Sequence, residues 1–160
     1  MQITAIDEAF EVAERHLAAT SSWNTEVEAF LARHLVVLIY SRYEEELRSA
    51  VTDFATPFEN KHLAAFITAA GKTLLRRLKP EDLAGCLGQF GSEIKEIFGL
   101  KTNASTAKTD YEAILGYRHE TAHGPGAVVT VKDLKRLYIS SLDVLEAFKE
   151  ALEATMPPAV

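Results

Sequence analysis

Apolar residues recur at spacings of three and four along most of this chain, and no stretch alternates long enough to read as a strand. Ile6, Phe10, Ala13 and Leu17 form one stripe, predicting a helix from Thr4 to about Ala19 with Thr4 and Asp7 at its N-cap and N3 positions. Thr20-Ser21-Ser22-Trp23-Asn24 is a polar break, and Asn24 or Thr25 can cap the next helix. That second helix runs from about Thr25 to Phe54, apolar nearly all round at Leu35 to Tyr40 and acidic at Glu44-Glu45-Glu46. At about 1.5 Å per residue it would span roughly 45 Å, and its apolar middle predicts burial on several sides. Thr56-Pro57 opens a third unit. There Leu63, Phe66, Ile67, Leu74, Leu75 and Leu78 predict a helix to about Lys79, with Gly71 inside it. Lys79-Pro80-Glu81-Asp82 is a helix start, with proline first and acids in the first turn.

Beyond it, Leu83 to Phe90 and Ile94 to Phe98 read as two short turns of helix around Gly91-Ser92. Gly99 to Thr109 is polar and rich in small residues, predicting an exposed, mobile loop. Asp110 to His123 is helical again, with Tyr111, Ile114 and Leu115 on its buried side. Thr130 and Asp133 form an imperfect capping box ahead of a long closing helix, Leu134 to about Met156. Its stripe is Leu134, Leu137, Tyr138, Ser141, Leu142, Leu145, Phe148 and Leu152. The sum is an all-α bundle of about five helices, two of them long, in a single domain over residues 1–160.

Composition narrows the class of protein. The longest apolar run, Leu35 to Tyr40, is far short of the roughly 20 residues a membrane span needs, so no membrane association is expected. The first residues carry acids where a signal peptide carries bases, and the lone Cys86 allows no internal disulfide framework, so a cytoplasmic protein is expected. Net charge is −6, with a balance of −7 over residues 1–60 and +1 over residues 61–160. A protein that grips nucleic acid mainly by neutralising phosphates is basic overall. Any such contact here should be local, brief, or confined to a cleft in the C-terminal part. The small basic clusters Arg76-Arg77-Lys79 and Lys132-Lys135-Arg136 read first as solvated surfaces that could also help hold RNA.

Candidate chemistry concentrates in one stretch, Gly116-Tyr117-Arg118-His119-Glu120-Thr121-Ala122-His123-Gly124-Pro125-Gly126. His119-Glu120-Thr121-Ala122-His123 matches H-E-x-x-H, in which two histidines one turn apart bind zinc and the glutamate activates water. Its context is poor for a zinc peptidase. The extended motif would need a histidine where Val129 stands, no strand is predicted to hold a peptide, and Gly124-Pro125-Gly126 ends the helix just past the second ligand. The other reading takes Arg118 with His123. Arginine offers a permanent charge and a fork of donors matched to phosphate oxygens. Histidine exchanges protons near neutral pH. Together they can cleave RNA: histidine takes the proton of the ribose 2′-OH, and arginine offsets charge on the phosphorane. The second proton-transfer group would come from a second copy of the chain in a two-fold dimer.

The segment Arg118-His119-Glu120-Thr121-Ala122-His123-Gly124, following an amphipathic helix and followed by a capped one, resembles the R-x4-H signature of HEPN domains (higher eukaryotes and prokaryotes nucleotide-binding). Leu35-Val36-Val37-Leu38-Ile39-Tyr40-Ser41-Arg42-Tyr43-Glu44 is similar to the long second helix of the RiboL-PSP-like branch, where an apolar run leads into an aromatic–glutamate pair. Leu87-Gly88-Gln89-Phe90-Gly91 is similar to that branch's segment before the motif helix. The resemblance spans roughly residues 25–155, and the R-x4-H pair is its one specific element. It implies a metal-independent endoribonuclease of toxin or defence type, without a cofactor or metal, acting on RNA as a homodimer whose two motifs face each other. A neutralising antitoxin or regulatory partner is also implied. Carried over, Arg118 and His123 are the catalytic pair. His119 occupies a variable polar position and could orient the phosphate, and Glu44 matches the helix-two glutamate that could pair with Arg118 or His123. The alternative from another class is a helical binding module without activity, antitoxin-like or nucleotide-binding.

Overall fold

The computed structural model describes residues 3–103, 105–123 and 129–154, the side chains of residues 122 and 123 excepted. Within them the chain forms seven helices and no strand: α1 (Thr4–Thr20), α2 (Glu26–Ala55), α3 (Lys61–Leu74), α4 (Pro80–Phe90), α5 (Ser92–Thr102), α6 (Thr106–His123) and α7 (Val131–Glu153). The all-α class stands, and the count of about five is corrected to seven among the described residues.

The difference arises between Ile94 and Thr109. The sequence predicted two short turns and then an exposed loop, but α5 runs unbroken to Thr102 and α6 begins at Thr106. Thr102 and Ala107, both expected on an exposed loop, are buried. Thr102 stays helical because its hydroxyl donates to the Phe98 carbonyl (2.9 Å), satisfying the group that makes threonine a poor helix residue. Small polar residues had here the composition of a loop and the role of a tight helix–helix joint.

The third helix also ends earlier than its apolar pattern suggests, at Leu74 rather than near Lys79. Leu75 and Leu78 are buried all the same, so the periodicity continues as an anchored, non-helical connection. Lys79 is extended (φ −63°, ψ 147°), the conformation that the following Pro80 imposes. Gly71, which weakened the helical pattern, has a packing role. A Cβ there would collide with Val51 Cγ1, so the glycine lets α3 lie directly on α2.

Caps follow the sequence in part. Thr25 caps α2 by accepting from the Val27 N–H, and Thr130 caps α7 by accepting from the Asp133 N–H (3.0 Å). The capping pair expected at Thr4 and Asp7 is absent: Ile3 is the N-cap of α1 and makes no side-chain bond there.

The predicted core stripes are the ones buried. Ile6, Phe10, Ala13 and Leu17 bury one face of α1, and all eight residues of the α7 stripe lie inside. α7 packs against α1, α2, α4, α5 and α6, which makes it the central element of the bundle. Burial of each large side chain along it contributes roughly 1.5–3 kcal/mol. Met156, at the expected end of this helix, lies outside the described residues. Among the described residues, no helix is long and apolar enough to cross a membrane.

A buried polar line crosses this core. The hydroxyls of Ser141 on α7 and Tyr43 on α2 share a hydrogen bond, and the Tyr43 ring stacks on Tyr111 of α6 (centroids 5.4 Å apart, planes 6° from parallel). The Tyr111 hydroxyl then donates to the carbonyl of Leu78 in the α3–α4 connection (2.8 Å). Burial raises the ionisation of both phenols well above the usual tyrosine range.

Candidate functional site

Tyr111, Ile114 and Arg118 lie on one face of α6, since steps of three and four residues keep to one side of a helix. The first two are fully buried. Arg118 therefore stands where the apolar stripe would continue, and it emerges half-buried at the edge of the core. Its guanidinium lies over the ring of Tyr40 on α2, with Cζ 4.7 Å from the ring centroid. The negative face of the ring attracts the cation, and the guanidinium carries five N–H donors. The contact thus positions the arginine while leaving donors for an anion.

Arg118 opens onto a cleft of about 760 Å³ between α2, α6 and the α3–α4 connection. Arg76, Arg77 and Lys79 line it from the connection, and His119 lines it from the turn of Arg118. Two carboxylates, Glu81 and Glu112, are also present, against four permanent cations. Glu81 is drawn to Lys108 (3.4 Å) on α6. On a chain of net charge −6, this is a local positive region.

The residues singled out in the sequence separate here. Arg118 and His119 share the cleft. His123 closes α6, one helical turn after His119, and its side chain lies outside the described residues. Glu120 is exposed, away from the core. Glu44, expected to reach Arg118 or His123, is paired with Arg48 one turn further along α2 (2.5 Å). Its neighbour Tyr43, the aromatic half of the expected aromatic–glutamate pair, is a core residue. Among the described residues, no three His, Cys, Asp or Glu side chains gather as a metal site.

Two contributors carried no role in the sequence reading. Tyr40 belonged to the apolar run, and only its position beneath Arg118 shows what it does. Glu28 lies in the first turn of α2, where an acid ordinarily sits in solvent and suits the helix dipole. It is instead buried at 4% exposure, its two oxygens accepting from the backbone N–H of Asn24 (2.6 Å) and of Val131 (3.0 Å). Asn24 takes the left-handed conformation that this contact requires (φ 58°), which asparagine tolerates better than most residues. Glu28 thereby fixes where α7 begins, just after the segment that follows His123.

The model of the RiboL-PSP-HEPN family matches residues 4–154, nearly the whole chain. The chain belongs to this family. No curated protein and no solved structure matches it. The RiboL-PSP-HEPN match covers all seven helices, including α1, which lay outside the span of the earlier resemblance. HEPN domains are helical and often ribonuclease-like, so the family fits the all-helical bundle.

Proposed function

We propose that this RiboL-PSP-HEPN domain is an endoribonuclease that cleaves RNA without a metal ion, with Arg118 and His123 as its catalytic pair. The observation that carries this reading is Arg118, braced on Tyr40 and opening onto a cleft with three further cations. In the reaction, the ribose 2′-oxygen attacks the adjacent phosphorus and the bond from phosphorus to the 5′-oxygen breaks. The products are a 2′,3′-cyclic phosphate and a 5′-hydroxyl. His123 accepts the proton of the 2′-OH, and Arg118 stabilises the added negative charge on the phosphorane. The leaving 5′-oxygen takes a proton from the equivalent histidine of a second copy, which makes the working unit a homodimer with two motifs in one cleft. His119, in the same cleft, orients the phosphate. A toxin or defence role, with an antitoxin as partner, belongs to the same reading.

The test is cleavage of RNA by the purified protein in excess EDTA, beside Arg118→Ala and His123→Ala. Activity that survives EDTA and falls by about 10²–10³-fold in each variant is expected, the size seen when one transition-state donor or one acid–base group is removed. Activity that EDTA abolishes and zinc restores would refute the reading and return the weight to His119-Glu120-Thr121-Ala122-His123 as a metal motif. Absence of cleavage with any RNA would favour a binding module. A strict monomer by light scattering would remove the shared-cleft mechanism.

A further inference from the structure

The geometry points to the α3–α4 connection as a phosphate track for single-stranded RNA, in which Arg76, Arg77 and Lys79 hold the backbone beside the phosphate that Arg118 contacts. This rests on the reading of Arg118 as a phosphate ligand and extends it to residues that the family resemblance did not mark.

The connection is built to hold cations in place. Buried and exposed residues interleave along it: Leu75, Leu78 and Pro80 are buried, while Arg76, Arg77 and Lys79 are exposed toward the cleft. The Leu78 carbonyl is bonded to the buried Tyr111 hydroxyl, so the backbone between the cations is tied to the core rather than free. Arg42, Arg48, Lys101, Lys108, Lys135 and Lys149 each pair with an acid. Among the described residues, Arg76, Arg77, Lys79 and Arg118 form no ion pair, as is also true of Arg15, Lys61, Lys72, Lys95 and Lys132, but only these four of them line one cleft. Gathering unpaired like charges is costly unless a polyanion completes the site. The rest of the surface is acidic in balance, so a polyanion is drawn to this cleft and repelled elsewhere.

The chemistry selects a single strand. Attack of a 2′-oxygen on its own phosphate requires the leaving oxygen to lie opposite the nucleophile, and the A-form helix holds the backbone away from that alignment. A rigid row of cations next to Arg118 fixes a backbone rotated out of the A-form on one side of the cut. Fixed charges along a groove are also the common means of holding unpaired strands without reading their sequence.

The test is binding, measured by fluorescence anisotropy over a range of salt. The probe is a short single-stranded RNA whose riboses are 2′-O-methylated, so that it cannot be cleaved. For single strands the slope of log affinity against log salt is about −0.7 per neutralised phosphate. Arg76→Ala/Arg77→Ala/Lys79→Ala should therefore reduce the slope by about 2, and weaken binding about 100-fold at roughly 0.1 M salt. Arg76→Lys/Arg77→Lys should keep most of the slope, and Arg15→Ala/Lys61→Ala, on exposed positions of α1 and α3, should leave it unchanged. An unchanged slope in the triple variant would overturn the inference even if the protein cleaves RNA. A reduced slope in a protein that cleaves nothing would support the track and count against the nuclease. Equal or tighter binding of a duplex of the same sequence would overturn the single-strand assignment.

Discussion

Glu28 joins two segments 103 residues apart, and its replacement separates the importance of its charge from that of its size. Each oxygen accepts one backbone N–H, from Asn24 and from Val131. In Glu28→Gln one oxygen becomes an NH2 group, so one of the two N–H groups faces a donor. In Glu28→Ala both lose their acceptor. Hydrogen bonds to a charged group are worth about 1.5–3 kcal/mol each. Both bonds share one carboxylate, and Asn24 is exposed enough for water to replace part of the loss, so the lower end applies. Glu28→Ala should cost about 3 kcal/mol and Glu28→Gln about 2. For a domain of this size, 3 kcal/mol lowers Tm by about 6–12 °C. Guanidinium unfolding followed by helical circular dichroism measures the energies. Amide hydrogen exchange localises them, with faster exchange expected at Val131 and Asn24 and none at Leu145 in the middle of α7. A Glu28→Gln protein within about 0.5 kcal/mol of the parent, with Val131 still protected, would show that the contact fixes neither segment.

Gly71→Ala should destabilise the fold by up to about 2 kcal/mol, because overpacking against Val51 costs about 1–3 kcal/mol and the gain in helix propensity returns only about 1. Combining it with Val51→Ala should cost less than the two changes summed, and an additive double-mutant cycle would refute the contact. Alkaline pH should unfold the protein through Tyr43 and Tyr111. Their folded pKa values are raised by burial above the unfolded value of about 10, so the stability they confer is complete below about pH 10 and lost as pH rises beyond it. Tyrosinate absorbance and loss of helicity should then appear together, whereas tyrosines titrating near pH 10 in an intact helix bundle would contradict this. Cys86 behaves alike over a lower window. Burial pushes its thiol up to about 11, so it should resist a thiol reagent at about pH 8 until the chain unfolds.

The sequence made the long helices and their buried faces plain, because stripes such as Ile6-Phe10-Ala13-Leu17 place one apolar face of a helix against a core. Boundaries were harder where one composition serves two structures. Asn103, Ser105 and Thr106 belong to a joint of a few residues, yet with Gly99 and Thr109 they imitate a long loop. Leu75 and Leu78 continue a helical stripe after the helix has ended, because a buried connection needs apolar anchors as much as a helix does. Local spacing alone put Arg118 and His119 side by side, and the two line the same cleft. Tyr40 and Glu28 could not be read that way, because their roles depend on partners that only the fold brings near; the Arg76-Arg77-Lys79 cluster was visible in the sequence, but its place beside Arg118 was not. Glu44, expected to reach across to Arg118 or His123, has an ion-pair partner a single turn away on its own helix.

The line from Ser141 through Tyr43 and Tyr111 to the Leu78 carbonyl has a consequence for genetics. It begins on the central helix and ends between Arg77 and Lys79, so a small change deep in the bundle alters the shape of a distant surface turn. If the cleft cleaves RNA as proposed, Ser141→Ala or Tyr111→Phe would reach a screen for loss of function as inactive clones with folded protein and every cleft side chain intact. Such clones would pass for active-site lesions, although the nearest altered atom never meets the substrate.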